Sequence, residues 1–499
     1  MSAREDQDRF VVRKVPGGEV RGISADGIYT FLSVPYAAPP VGENRFREAQ
    51  PVRLWEGVRD ATKAGACAPH LIREFPQIDV YPLVATGSLE GGDYLTLNVW
   101  APEEAEKRPV MVWIHGGGFV IGSKDAPVQD GTEFAKSGVV CVAINYRMGV
   151  DGFLPIPGIP TNLGLRDMLF ALNWVRENVA AFGGDPDNVT VFGESAGAMA
   201  IADLVTSPLA EGLFKRAIIQ SGHGAMVRDV HVAERLVFKL ARILKIKPDS
   251  AGFASVSAEG VWKAMEKVSK PWTRMDLRDA QGFEPVYGIS RFIPVHGDEV
   301  LPKKPIDALK AGAGRNVEVL IGTNAAEMNL YFVPTKVRAK APRFFLKWLL
   351  KKSHPDAHGA LKAYGWGQGK RPGYAFTEAL TDLVFRSPAR RYAEEHQGRT
   401  HVYDFEWHSP ACSGELGAGH AVDVPFVFKT LDLASGPKGL LGENPPQDLA
   451  DRVHQTWVDF ATDGSLPWPE FNRETRKVHK LAADETISEP VMLAAAFVP

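Results

Sequence analysis

Five short apolar runs punctuate the middle of the chain, at residues 110–114, 139–144, 189–192, 217–219 and 317–321, and each gives way within two residues to Gly, Ser or Asn. Uninterrupted apolar runs bounded by turn formers predict strands buried on both faces, as in a parallel sheet covered by helices. Helical stripes lie between and after them. Residues 165–179 place Leu169, Leu172 and Val175 on one face, residues 448–462 do the same with Leu449, Val453, Trp457 and Phe460, and residues 198–205 predict a shorter helix. The pattern predicts an α/β protein with a mostly parallel central sheet flanked by helices.

Around this core the pattern weakens. The N-terminal fifth is rich in Pro and Gly (Pro35, Pro39, Pro40, Gly42), and residues 72–92 read as an exposed loop. Long irregular segments in a compact domain often cover a functional site. With neither a Pro/Gly/Ser-rich linker nor a repeat period, residues 1–499 read as one domain with large cap-like insertions around 66–93 and 225–400. The longest apolar stretches, 139–144 and 491–498, fall far short of the ~20 residues a bilayer requires, and the polar N-terminus carries no apolar segment of a secretory signal.

Composition narrows the function. Sixty acidic against 57 basic side chains give a net charge of −3, which argues against a nucleic-acid partner. Three cysteines are too few for a disulfide framework, and an odd thiol count suits a reducing compartment, so the expected location is cytoplasmic.

Two glycine-rich motifs carry the chemistry. Gly193-Glu194-Ser195-Ala196-Gly197 follows a predicted strand and opens a predicted helix. A serine on such a strand-to-helix turn exposes its hydroxyl at the helix N-terminus, while the flanking glycines let backbones pass closely. Upstream, the strand at 110–114 ends in His115-Gly116-Gly117-Gly118-Phe119, where consecutive glycines can aim backbone N–H groups at one developing oxyanion. A nucleophilic serine needs a base and an acid to orient it, in the chain order serine, acid, histidine on this architecture. Among 13 histidines, His420 lies in the loop Gly417-Ala418-Gly419-His420, and Glu327 follows the strand at 317–321 by a short loop.

Ordered motifs then extend along most of the chain: Val34-Pro35-Tyr36-Ala37, Trp55-Glu56-Gly57-Val58-Arg59-Asp60, Leu95-Thr96-Leu97-Asn98-Val99-Trp100, Asn145-Tyr146-Arg147, Phe182-Gly183-Gly184-Asp185-Pro186, Gln220-Ser221-Gly222 and residues 420–428. The chain resembles the type-B carboxylesterases, the esterase/lipase family of the α/β-hydrolase fold that includes the cholinesterases, and most of all their bacterial cytoplasmic members. The resemblance implies a serine carboxylesterase acting on aryl or short-to-medium alkyl esters. Ser195 would be nucleophile, His420 base and Glu327 acid, with an oxyanion hole at Gly117, Gly118 and Ala196 and support from Glu194 and Ser221. Small-molecule ester and water are the implied partners, without metal or cofactor; oligomeric state is left open. A carbamate or amide hydrolase with the same triad is the first alternative, and a non-catalytic adhesion module on the same fold the second.

Three departures from the family pattern stand out. Met328 follows the acid where glycine is usual, so the backbone there must avoid a glycine-only conformation. Tyr94 occupies the position of a disulfide cysteine, leaving Cys67, Cys141 and Cys412 as expected free thiols. Met168 replaces the Gln after Asp167.

The remaining features admit two readings each. Tyr331, Phe332, His223 and Met226 are candidates for the substrate pocket or for simple core. Residues 336–352 interleave lysines and arginines with Phe344, Phe345, Leu346, Trp348, Leu349 and Leu350. This stretch reads first as a cap helix with a solvated basic face, and otherwise as a membrane-surface helix or a mobile wall of the acyl pocket.

Overall fold

The five apolar runs become five consecutive strands of one sheet. The computed structural model describes residues 10–72 and 74–498. In chain order the strands are β1 (Phe10–Val15), β2 (Gly18–Ala25), β3 (Ile28–Pro35), β4 (Val58–Asp60), β5 (Thr96–Pro102), β6 (Arg108–Ile114), β7 (Val140–Ile144), β8 (Gly184–Glu194), β9 (Arg216–Gln220), β10 (Arg228–Asp229), β11 (Val295–His296), β12 (Glu318–Asn324), β13 (Thr400–Phe405), β14 (Lys477–Lys480) and β15 (Glu485–Ser488). Thirteen of them form the sheet β1-β2-β3-β5-β7-β6-β8-β9-β12-β13-β14-β15, with β4 beside β2; β10 and β11 pair separately. The centre, from β7 through β6, β8, β9, β12 and β13 to β14, is parallel. Its flanks are antiparallel except for β4, which pairs parallel with β2.

Why these runs are apolar at almost every position is visible in the packing. Along β6, Val110, Val112 and Ile114 enter one hydrophobic layer, and Met111 and Trp113 enter the other. The same alternation splits Val140, Val142 and Ile144 from Cys141 and Ala143 on β7, and Ala217 and Ile219 from Ile218 on β9. Each layer has its helix. Leu163–Asn178 brings Leu165, Leu169, Leu172 and Val175 to the first, and Gln447–Asp463 brings Leu449, Val453, Trp457 and Phe460 to the second. A strand buried on both faces can spare no polar position, and each fully buried large aliphatic side chain contributes about 1.5–3 kcal/mol.

Two regions differ from the sequence reading. Residues 72–92 are not simply exposed: Ile78 and Val80 dock on the second layer, around the short helix Tyr81–Val84, and the Asp79 N–H donates to Lys438 O at 2.9 Å. The stretch 225–400 is not all periphery, because β12 within it is a central strand. Met328 adopts an ordinary helical φ of −73°, so no glycine is needed after Glu327. Cys67, Cys141 and Cys412 are free, and Tyr94 is buried in the core.

Candidate active site

Adjacent strands β6 and β8 deliver the two glycine motifs to the same end of the sheet, with Ile114 opposite Gly193 in register. At the end of β8 the chain reverses into the helix Ala196–Thr206 through Ser195, whose φ of 56° and ψ of −123° lie outside ordinary L-residue space. The flanking glycines are sterically required. A Cβ on Gly193 would stand 2.5 Å from Ile114 O, and one on Gly197 only 1.9 Å from it. The elbow is pinned by the Ser195 N–H, which donates to Gln220 O at 2.9 Å.

The three residues predicted to act together do meet. His420 Nε2 lies 2.8 Å from Ser195 Oγ, and His420 Nδ1 lies 2.6 Å from Glu327 Oε2. All three are buried, Glu327 completely. Glu327 is fixed through its other oxygen, which accepts the Asn324 N–H at 2.7 Å, and its carbonyl accepts the His420 N–H at 3.1 Å. The imidazole is therefore held by both the side chain and the backbone of one glutamate. It also sits between two rings, Phe385 at 4.7 Å and Tyr331 at 5.5 Å between centroids.

Around Ser195 Oγ the backbone is donor-rich. Among the described residues the N–H groups of Gly117, Gly118 and Ala196 have no hydrogen-bond acceptor. Gly117 has φ of 107° and its Cβ would strike Ile121 O at 2.0 Å, whereas a Cβ on Gly118, at φ of 63°, would meet only ordinary contacts, Ser290 at 3.8 Å and Val120 at 3.9 Å. The loop is braced from both sides. Ser290 Oγ donates to Gly118 O at 2.7 Å, Tyr146 Oη donates to His115 O at 2.8 Å, and the Tyr146 ring stacks on His115 at 4.5 Å. Burial lowers His115 to about 4, so it is a neutral packing element.

The electrostatics are unbalanced. Glu194 Oε1 lies 3.0 Å from His420 Nε2, the nitrogen that faces the Ser195 hydroxyl, yet is buried without a hydrogen-bond partner. Burial pushes Glu194 up to about 8. Burial by itself would lower His420, but the facing carboxylates of Glu194 and Glu327 outweigh it and raise the ring to about 9. A fourth group, Asp423, is held by Gln220 at 2.9 Å and Asn324 at 3.1 Å, and Gln220 is in turn anchored by the Trp457 indole at 3.1 Å. Ser221, at a φ of 53°, donates its N–H to Gly322 O at 2.8 Å, and its hydroxyl is buried without a partner.

A narrow apolar pocket opens beside Ser195, walled by Phe119, Met199, Met226, Val286, Ile289 and Phe385. Sequence reasoning singled out only Met226 of these. Met199 shares the helix of the elbow, but Val286, Ile289 and Phe385 come from segments whose approach depends on tertiary folding. Of the other predicted pocket residues, Tyr331 stacks on His420, while Phe332 packs on Phe376 at 5.3 Å. His223 does not join them. Its ring nitrogens are taken by Val384 O at 2.6 Å and the Ala225 N–H at 3.1 Å, burial holds it neutral at about 4, and it walls a different cleft. Among the described residues no group of three or more His, Cys, Asp or Glu is placed to hold a metal ion.

A carboxyl, an imidazole and a hydroxyl in hydrogen-bonded sequence, beside unused backbone donors, can carry out acyl transfer. Residues 9–492 match the model of the carboxylesterase family. The chain belongs to the carboxylesterase family. It is 36% identical to the para-nitrobenzyl esterase of Bacillus subtilis, with 94% of each chain covered, and 35% identical to the phenmedipham hydrolase of Pseudarthrobacter oxydans, with 92% of each covered. A carboxylesterase of Geobacillus stearothermophilus superimposes with a TM-score of 0.81 at 32% identity, over 97% of this chain and 99% of that one. The fold is the α/β-hydrolase fold and the protein is a carboxylic ester hydrolase.

Proposed function

We propose that this carboxylesterase works through Ser195, His420 and Glu327, and that its substrates are aryl or short-to-medium alkyl esters. What carries the reading is the unbroken relay from Glu327 Oε2 to His420 at 2.6 Å and from His420 to Ser195 Oγ at 2.8 Å. Ser195 Oγ bonds to the ester carbonyl carbon as its proton passes to His420 Nε2. The carbonyl oxygen takes the negative charge and is stabilised by the N–H groups of Gly117, Gly118 and Ala196. Collapse breaks the bond to the alcohol, which leaves with the proton from His420. Water then loses a proton to His420, attacks the acyl-enzyme and releases the acid. Glu327 fixes the tautomer of His420, while Glu194 and Ser221 support the site from behind.

The narrowness of the apolar pocket between Phe119, Val286 and Phe385 favours a small acyl group. One hydrolase unit over the full chain, in the cytoplasm, fits three free thiols. The test is hydrolysis of p-nitrophenyl esters with labelling by an organophosphonate. Stoichiometric labelling of parent enzyme and none of Ser195→Ala is expected; normal turnover by folded Ser195→Ala overturns the assignment. Matched p-nitrophenyl ester, carbamate and anilide substrates separate esterase from carbamate or amide hydrolase.

A further inference from the structure

Far fewer large apolar side chains are exposed than buried, and three of the most exposed aromatics lie together. Phe344 is 77% exposed, Trp272 70% and Trp348 40%. The nine-residue helix Arg343–Lys351 turns Leu346 and Leu350 into the core. Phe344 and Trp348, four residues apart, occupy one outward face. Lys352 joins this helix to the neighbouring loop, with its ammonium 5.0 Å from the Trp348 ring and donating to Pro271 O, immediately before Trp272. Lys352 thus ties the segment that carries Trp272 to the helix that carries Phe344 and Trp348.

That surface is cationic on a protein that is weakly anionic overall. Between Glu327 and Asp356 the chain has no acidic residue, while Lys340, Arg343, Lys347 and Lys351 fall on or beside the helix. Among the described residues, Arg338 to Glu415 at 2.7 Å is the one ion pair that the stretch's cations make. Exposed Trp and Phe ringed by unpaired cations match one environment, the boundary of an anionic bilayer: aromatic rings seat at headgroup depth and lysines face lipid phosphates.

We propose that the face carrying Trp272, Phe344 and Trp348 docks on anionic lipid. The face is linked to the site. Beyond the helix, Ser353 O accepts the Glu284 N–H at 2.9 Å, and the segment that follows supplies Val286 and Ile289 to the pocket beside Ser195. Docking would present the pocket's outer wall to esters partitioned in the membrane. The inference goes beyond the esterase reading and is testable without turnover.

Full-length protein is sedimented with vesicles of phosphatidylcholine alone, or with a quarter phosphatidylglycerol, at low and high salt. Binding to the anionic vesicles about tenfold stronger than to neutral ones, lost at high salt, is expected. Lys340→Glu/Lys347→Glu/Lys351→Glu should abolish the preference for anionic lipid. Phe344→Ser/Trp348→Ser should abolish most binding, both with unchanged hydrolysis of soluble p-nitrophenyl acetate as evidence of folding. Equal binding to both vesicles, or variants that bind like the parent, overturns the proposal. So does a dimer in sedimentation velocity that Phe344→Ser/Trp348→Ser dissociates without any vesicle binding, because a second copy would then own the face.

Discussion

Arg147 and Asp167 are as deeply buried as His420 and Glu327, but the two clusters satisfy their charges to different degrees. Asp167 receives three donors from Arg147, the backbone N–H at 3.0 Å, Nε at 2.8 Å and one terminal nitrogen at 2.6 Å, while the other terminal nitrogen reaches Arg47 O at 2.5 Å. One cation faces one anion and every guanidinium nitrogen is used. Around His420 one imidazole faces Glu194 and Glu327 with Asp423 close behind, and both Glu194 Oε1 and the Ser221 hydroxyl lack partners. The first cluster ties the end of β7 to the helix Leu163–Asn178, next to the Tyr146 that braces the glycine loop. The second is poised to move a proton. Complete pairing makes a rigid support; surplus charge and orphaned acceptors keep a proton mobile.

Breaking this contrast begins with the reacting atoms. Ser195→Ala should lower kcat on a p-nitrophenyl ester by about 10⁴-fold or more while leaving the thermal midpoint near the parent's, because no structural bond depends on Oγ. Asp167→Asn should do the reverse. Leaving Arg147 buried without its carboxylate should cost about 3–5 kcal/mol in urea unfolding, with kcat per folded molecule much closer to the parent's.

The comparison sharpens within the glycine loop. Gly117→Ala forces a Cβ into Ile121 O and should cost about 10²–10³-fold in kcat, whereas Gly118→Ala meets only ordinary contacts, adding the strain of its positive φ alone, and should cost clearly less. Equal losses would mean that the N–H groups are not positioned as described.

The smallest effect concerns protons. His420 must be neutral to accept the serine proton, and the facing carboxylates hold its proton on. Glu194→Gln removes one of those charges, so His420 should release its proton at lower pH. The acidic limb of kcat/KM should then move to lower pH and sharpen into one titration step. A limb displaced to higher pH would contradict the assigned electrostatics.

Much of this was legible in the chain itself. The strands that bury both faces announce themselves as unbroken apolar runs, and the elbow's glycines are dictated by a carbonyl 1.9–2.5 Å away that no side chain could tolerate. Ser195, Glu327 and His420 could be named because each sits at a loop with a local signature. The flanking strands β1 to β4, β14 and β15 were not legible, since half-exposed strands among Pro and Gly carry only a weak alternation. Phe385 and Val286 reach the pocket from distant segments and look like any core hydrophobe. His223 stayed open between pocket and core for the same reason: a histidine beside a motif gives no sign that both ring nitrogens are already taken by backbone.

The pairing of Ile114 with Gly193 also bears on how such an enzyme can diversify. Ser195 and the glycine loop inherit their spacing from one rung between two central strands, a rung that a one-residue slip would destroy. Val286 and Ile289 of the pocket wall and the helix Arg343–Lys351 lie outside that rung, unlike Ser290, which braces the glycine loop at Gly118. Substitutions at the former can accumulate without disturbing the distance between Ser195 and that loop, so a lineage of such chains is free to change its clientele while the rung stays fixed.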